Sequence, residues 1–165
     1  MENIKLNNGV KIPQLGLGVF QIEDDKVLKQ AVLAAIKAGY RHFDTATLYR
    51  NEQALGEALA ESGIARDDLF VTSKVWNTVT TYDGTKQAFA DSLQKLNMDH
   101  LDLYLIHWPT EGYLEKWRAL EDLYSQGLVR AIGVSNFEKK DLDTLLAHAR
   151  VKPAVDQVET HPYYQ

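Results

Sequence analysis

Short apolar strands alternating with amphipathic helices, and an opening hairpin, predict an α/β fold of the parallel (β/α)8 TIM-barrel type. The alternation requires parallel strands joined by right-handed crossovers, which a doubly wound open sheet would satisfy equally well. The repeat length and the hairpin favour the barrel. Eight units of a barrel use about 250 residues, or roughly 31 each, and the units here keep that rhythm. A hairpin ahead of the first unit can plug the bottom of a barrel. The 165 residues supply the hairpin, five βα units and a sixth strand. Eight strands close such a barrel and six do not, so the fold is expected to be incomplete within a single domain spanning 1–165.

The elements follow in order. Ile4, Leu6, Val10 and Ile12 alternate with polar residues around Asn8-Gly9, a strong hairpin signal, and Pro13 ends the pattern. Leu15–Phe20 reads as a first buried strand. Asp24–Lys37 reads as a helix with Leu28, Ala31, Val32, Ala35 and Ile36 on one face and Gly39 just past its end. A strand at Arg41–Asp44 precedes a helix near Asn51–Ser62 striped by Leu55, Ala58 and Leu59. Phe70–Val75 precedes a helix near Thr85–Leu96 with Phe89, Leu93 and Leu96. Leu101–Ile106 precedes one near Tyr113–Ser125 with Trp117, Leu120 and Tyr124. Val129–Val134 precedes one near Lys139–Ala149 with Leu142, Leu145, Leu146 and Ala149. A last strand, Ala154–Val158, has no helix after it.

The composition narrows the partners. A net charge of -5 with interspersed signs argues against nucleic acid or an anionic membrane surface. Cysteine is absent, which removes disulfides and thiolate metal sites and suits a reducing cytoplasm. The N-terminus lacks a basic stretch followed by an apolar one, and no run reaches membrane-spanning length, so a cytoplasmic location is expected. His42, His100, His148 and His161 show no ligand spacing, and no metal is expected. Gly16-x-Gly18 lacks the third glycine of a dinucleotide fingerprint.

In a parallel barrel, residues at the carboxyl ends of strands converge on one mouth. Asp44 ends one strand, Lys74 lies near the end of the next, His107 follows the third, and Tyr49 is in the loop after Asp44. A phenol with an ordinary pKa of about 10 needs a neighbouring cation to stabilise the phenolate left after proton donation. Lys74 supplies one, Asp44 can hold it, and a neutral His107 can orient a carbonyl oxygen. The pattern points to general-acid carbonyl reduction with Tyr49 as the acid and the hydride from a cofactor. Taken singly, Asp44 and Lys74 read equally as a structural ion pair, Tyr49 as a loop aromatic and His107 as a satisfied core histidine. Their joint occurrence in the expected order overturns those readings.

The segments Asp44–Glu52, Thr72–Asn77, Leu105–Pro109, Gly133–Phe137 and Asp156–Tyr163 resemble the motifs of aldo-keto reductases, and the order of the motifs matches too. The bacterial diketogluconate reductase-like branch is the best match, over essentially the whole chain. This resemblance implies Asp44, Tyr49, Lys74 and His107 as a catalytic tetrad and Ser135, Asn136 and Gln157 as ligands of the nicotinamide carboxamide. Phe20, Trp76 and Trp108 would line the substrate mouth. It implies NADPH as cofactor, with NADH left open by the sequence, and a small aldehyde or ketone as substrate. Asp156 departs from the family's usual Asn beside Gln157. The chain also stops before the last two strands, which in the family carry an aromatic stacking on the nicotinamide and basic residues for the ribose phosphate. A competing expectation follows: a truncated, catalytically incompetent barrel whose open edges drive self-association or pairing with a missing C-terminal half. A Ser135-Asn136 helix cap is a further expectation.

Overall fold

The computed structural model describes residues 2–164. A two-stranded antiparallel hairpin, β1 (Asn3–Lys5) and β2 (Lys11–Pro13), precedes a six-stranded parallel sheet. The sheet runs β3 (Gly16–Gly18), β4 (His42–Asp44), β5 (Phe70–Val75), β6 (Leu101–Ile106), β7 (Val129–Ser135) and β8 (Asp156–Gln157), in sequence order. Between successive strands lie α1 (Asp25–Lys37), α2 (Glu52–Glu61), α3 (Tyr82–Leu96), α4 (Tyr113–Ser125) and α5 (Lys139–His148). Strand order equal to chain order, all parallel, is the barrel arrangement and not the doubly wound one.

The sheet is strongly curled. Four strand spacings separate β4 from β8, about 19 Å in a flat sheet. Gln157 on β8 nevertheless donates from Nε2 to Asp44 Oδ2 on β4 across 2.8 Å. Only a sheet bent into a trough brings those side chains together.

Two apolar layers follow from the period-two alternation of strand side chains. On β6, Tyr104 and Ile106 face the helices and join the larger core with Leu55, Phe89, Trp117 and Leu120. Leu103 and Leu105 face the trough, where they meet Phe70 and Ala131. The hairpin closes the bottom of that inner layer with Leu6, Val10 and Ile12. Its turn is tied across the trough, Asn7 Nδ2 to Pro153 O at 2.8 Å and Asn8 Nδ2 to Arg130 O at 3.0 Å. The expected plug is therefore present.

The edges and caps depart from expectation. Leu15–Phe20 is not a uniformly buried strand: it is ordered as β3 only over Gly16–Gly18, and Leu15 and Phe20 are more than half exposed. The last strand shrinks likewise to Asp156–Gln157. Among the described residues both are edge strands, paired on one side only. Leu146, expected on the apolar face of α5, is 46% exposed. The third helix begins at Tyr82, capped by Thr81, whose side chain accepts from Gly84 N. Ser135-Asn136 does not cap α5. Asn136 takes φ 60 and turns the chain, and the cap falls to Glu138, whose amide donates to Asp141. No helix among the described residues is long and apolar enough to cross a membrane.

Candidate active site

A cleft of about 700 Å³ opens along the trough. Asp44, Tyr49, His107, Phe20, Trp76, Trp108, Ser135, Asn136 and Gln157 line it. Lys74 lies fully buried behind this surface. The ten residues singled out in the sequence thus converge on one place.

Register explains the convergence. Asp44 pairs beside Thr72, one interior step before Lys74, and Lys74 pairs beside Leu105, one interior step before His107. Each thus stands one interior step further along than its neighbour's partner, a stagger that strand tilt in a curled sheet offsets so that the three face the same mouth. Tyr49 reaches that mouth through a 3₁₀ turn, Thr47–Tyr49, that follows extended Ala46 and ends in left-handed Arg50 at φ 57. Thr47 fastens the turn by donating from Oγ1 to Lys74 O.

Lys74 Nζ donates to Asp44 Oδ1 at 2.5 Å, to Thr45 O at 3.0 Å and to Tyr49 Oη at 3.4 Å. All three hydrogens of the ammonium thus have acceptors, one of them charged. Burial pulls the Lys74 pKa below its ordinary value despite the opposing pull of Asp44. The same burial, reinforced by the Asp44 charge, pushes the Tyr49 phenol up to about 12. Sequence reasoning assigns Lys74 to stabilise the phenolate. In the resting site Asp44 offsets the Lys74 charge, and desolvation sets the direction of the tyrosine's shift. The phenol is therefore firmly protonated at neutral pH.

His107 packs edge-on against Tyr49, with ring centroids 5.8 Å apart, and against Trp76 at 5.0 Å. Burial first, then the Lys74 charge, lowers its pKa to about 4. The ring is neutral at pH 7, as expected. Its Nδ1 is buried with no partner among the described residues. Phe20 also lies against Tyr49, with ring centroids 4.8 Å apart.

On the far side of the cleft, Ser135 Oγ donates to Gln157 O at 2.8 Å, and Asn136 Nδ2 donates to His107 O at 3.1 Å. Those bonds and the Gln157–Asp44 bond use donors only. The amide oxygens of Asn136 and Gln157 have no hydrogen-bond donor among the described residues. Two free acceptors facing one cleft match the needs of a carboxamide NH2. This chemistry fits the nicotinamide end of a cofactor.

The family model for the aldo/keto reductase family matches residues 14–165. The chain belongs to that family. It is 53% identical over 162 residues to the glyoxal reductase of Bacillus subtilis, covering 98% of this chain and 59% of that protein. It is 42% identical over 165 residues to a methylglyoxal reductase of Escherichia coli O157:H7, covering 98% of this chain and 59% of that one. Among solved structures, an aldo/keto reductase from Brucella melitensis superimposes with a TM-score of 0.95 at 49% identity, covering 99% of this chain and 65% of that chain. A Bombyx mori aldo-keto reductase in complex with NADP gives 0.91 at 38% identity, covering 96% and 58%. The chain thus spans about three fifths of the length of these curated relatives.

Two residues behind this cleft escaped sequence reasoning. Thr45 gives its carbonyl to Lys74, and buried Asn51 accepts from Thr45 Oγ1 at 2.8 Å. Both fall inside the Asp44–Glu52 segment, so the signal was present. Their roles depend on where the chain folds back, which no spacing reveals.

Proposed function

We propose that this chain carries the proton-donating side of an NAD(P)H-dependent carbonyl reductase site, reducing small aldehydes or ketones to alcohols. The observation that carries the reading is Lys74 Nζ bridging Asp44 and Tyr49 behind a cleft walled by His107. Relatives named as glyoxal and methylglyoxal reductases support a small, reactive carbonyl substrate. Neighbours solved with NADP and NADPH support the cofactor class, NADPH ahead of NADH.

Tyr49 holds its proton until the carbonyl oxygen gains alkoxide character and becomes more basic than a phenolate. The proton then moves from Tyr49 Oη to that oxygen, and Lys74 stabilises the phenolate left behind. Neutral His107 orients the oxygen without competing as a proton source. Phe20, Trp76 and Trp108 exclude water and present apolar walls to the substrate. Asn136 and Gln157 would hold the nicotinamide carboxamide through their free amide oxygens, with Ser135 fixing the Gln157 backbone. The bound cofactor supplies the hydride, which no side chain can.

NADPH-dependent reduction of methylglyoxal by the wild-type chain and by Tyr49→Phe is the test. A positioned general acid contributes roughly 10²–10⁴-fold, so Tyr49→Phe should lose activity by that order. Retention of wild-type turnover would overturn the reading.

The open edges of β3 and β8, with Leu15 and Val158 exposed beside them, favour a second reading. Here the chain is an incompetent fragment that completes itself by pairing with further strands or with a second copy. A compact single-chain mass by light scattering, together with turnover, would eliminate it.

A further inference from the structure

One buried side chain clamps the turn that carries Phe20 against Tyr49. Ile22 N donates to Val19 O at 3.3 Å, closing a turn with Phe20 and Gln21 at its tip. Gln21 takes φ 63, a conformation that glycine favours and glutamine resists. The turn therefore needs outside support. Asn51, 3% exposed at the start of α2, supplies it from Nδ2, which donates to Val19 O at 2.9 Å and Ile22 O at 3.2 Å. Both end carbonyls of the turn are thus held by one amide. Phe20 itself is 58% exposed, so burial does not fix its contact with Tyr49.

We propose that Asn51 is a positioning residue that sets substrate specificity by locking the Phe20 turn against the ring of Tyr49. The proposal rests on the reading of Tyr49 as the acid of a carbonyl reductase site. Only an amide meets all three requirements: two donors for the carbonyls and an acceptor for Thr45 Oγ1. Aspartate keeps the acceptor, loses both donors and sets a carboxylate against two carbonyl oxygens. Asn51 also touches Thr45, but the Thr45 backbone is independently held by its amide bond to Thr72 O. The turn is the element that depends on Asn51.

The experiment compares wild type, Asn51→Ala, Asn51→Asp, Phe20→Ala and the Asn51→Ala/Phe20→Ala double variant. Amide exchange at Ile22 reads the turn without any need for activity. It should quicken at least about tenfold in both Asn51 variants and be restored when Gln21→Gly is added to Asn51→Ala. Unchanged Ile22 exchange would overturn the clamp. Asn51→Asp preserves side-chain size and the Thr45 bond, and it keeps the question open to refutation if Asn51→Ala does not fold. In the reductase assay Asn51→Ala should raise KM about tenfold for an aromatic aldehyde but less than about twofold for methylglyoxal, with kcat within about twofold for both, and do nothing further once Phe20 is gone. The same KM rise in both backgrounds or for both substrates, or a fall in kcat alone, would refute the specificity role. A wild-type chain inactive on every carbonyl compound would refute the reductase reading and the specificity role with it, leaving the clamp to be judged by Ile22 exchange.

Discussion

Replacing Asp44 by asparagine isolates the energetics of the buried Lys74. The two side chains are nearly isosteric, so packing changes little. What is lost is the anion facing an ammonium with no exposed surface. Thr45 O and Tyr49 Oη remain as neutral acceptors, and Gln157 loses its charged one. Removing one partner of a buried pair costs about 3–5 kcal/mol. A ceiling exists, because the folded protein can always release the Lys74 proton. From a free-lysine pKa of about 10.4, that release costs about 4.6 kcal/mol at pH 7. Asp44 is slightly exposed and asparagine still accepts a hydrogen bond, so a loss of about 3 kcal/mol is expected. The sign of the pH dependence is set by the lysine. Its folded pKa is lowered, so between that value and about 10.4 the unfolded chain binds more protons, and stability rises with pH. The Asp44→Asn substitution lowers that pKa further, so the gap between wild type and variant should narrow by up to about 1.4 kcal/mol per pH unit once Lys74 is neutral in the variant. Urea unfolding at pH 7 and pH 9.5 measures both quantities. A variant as stable as wild type at pH 7, or a gap constant with pH, would refute the account of Lys74 as a buried cation that depends on Asp44.

Two further outcomes follow from the same geometry. His107 has a pKa lowered from 6.5 to about 4, so its contribution is fully present above pH 6.5 and lost as pH falls towards 4, by no more than about 3 kcal/mol. Urea midpoints between pH 7 and pH 4.5 should drop less steeply in His107→Gln than in wild type, and equal slopes would contradict the assignment. On the helical layer, a Cβ at Gly56 would lie 2.4 Å from Leu96 O, a backbone atom that cannot step aside. The overpacking cost of about 1–3 kcal/mol outweighs the gain of roughly 1 kcal/mol in helix propensity, so Gly56→Ala should lower the thermal midpoint, and a raised midpoint would show α2 and α3 to be less tightly apposed.

The legible parts of this molecule are those whose cause is local. Leu55, Ala58 and Leu59 mark α2 through the helical period alone, and all three are buried. The strand ends carrying Asp44, Lys74 and His107 were legible because period-two alternation fixes which side chains face inward once the strands are parallel. What stayed hidden depends on tertiary structure. The left-handed turns at Gln21 and Arg50 use residues that do not announce φ above zero. In sequence Tyr49 reads as an acid whose phenolate Lys74 stabilises after donation; that the resting phenol's pKa rises stayed hidden, because burial and the nearby Asp44 carboxylate cause it and no motif encodes burial. β3 and β8 are ordered over only three and two residues, and both lie at the edges of the sheet.

The division between legible and hidden follows the division of the site. Asp44, Lys74 and His107 sit at the ends of three consecutive strands and Tyr49 on the loop between the first two, so the order of groups in the sequence is also their order around the wall. Ser135, Asn136 and Gln157 lie on β7, β8 and the turn after β7, where sequence distance from the acid is large and only curvature brings them near. Gln157 to Asp44 is the bond that expresses that curvature, spanning 113 positions in sequence and 2.8 Å in space. It ties the residue proposed to hold the nicotinamide to the carboxylate that anchors Lys74. A carboxamide received on the free Gln157 oxygen would polarise the amide whose Nε2 donates to Asp44. On the proposed reading, in which Gln157 holds the carboxamide, cofactor binding would be coupled to the tuning of Tyr49 through this one side-chain amide.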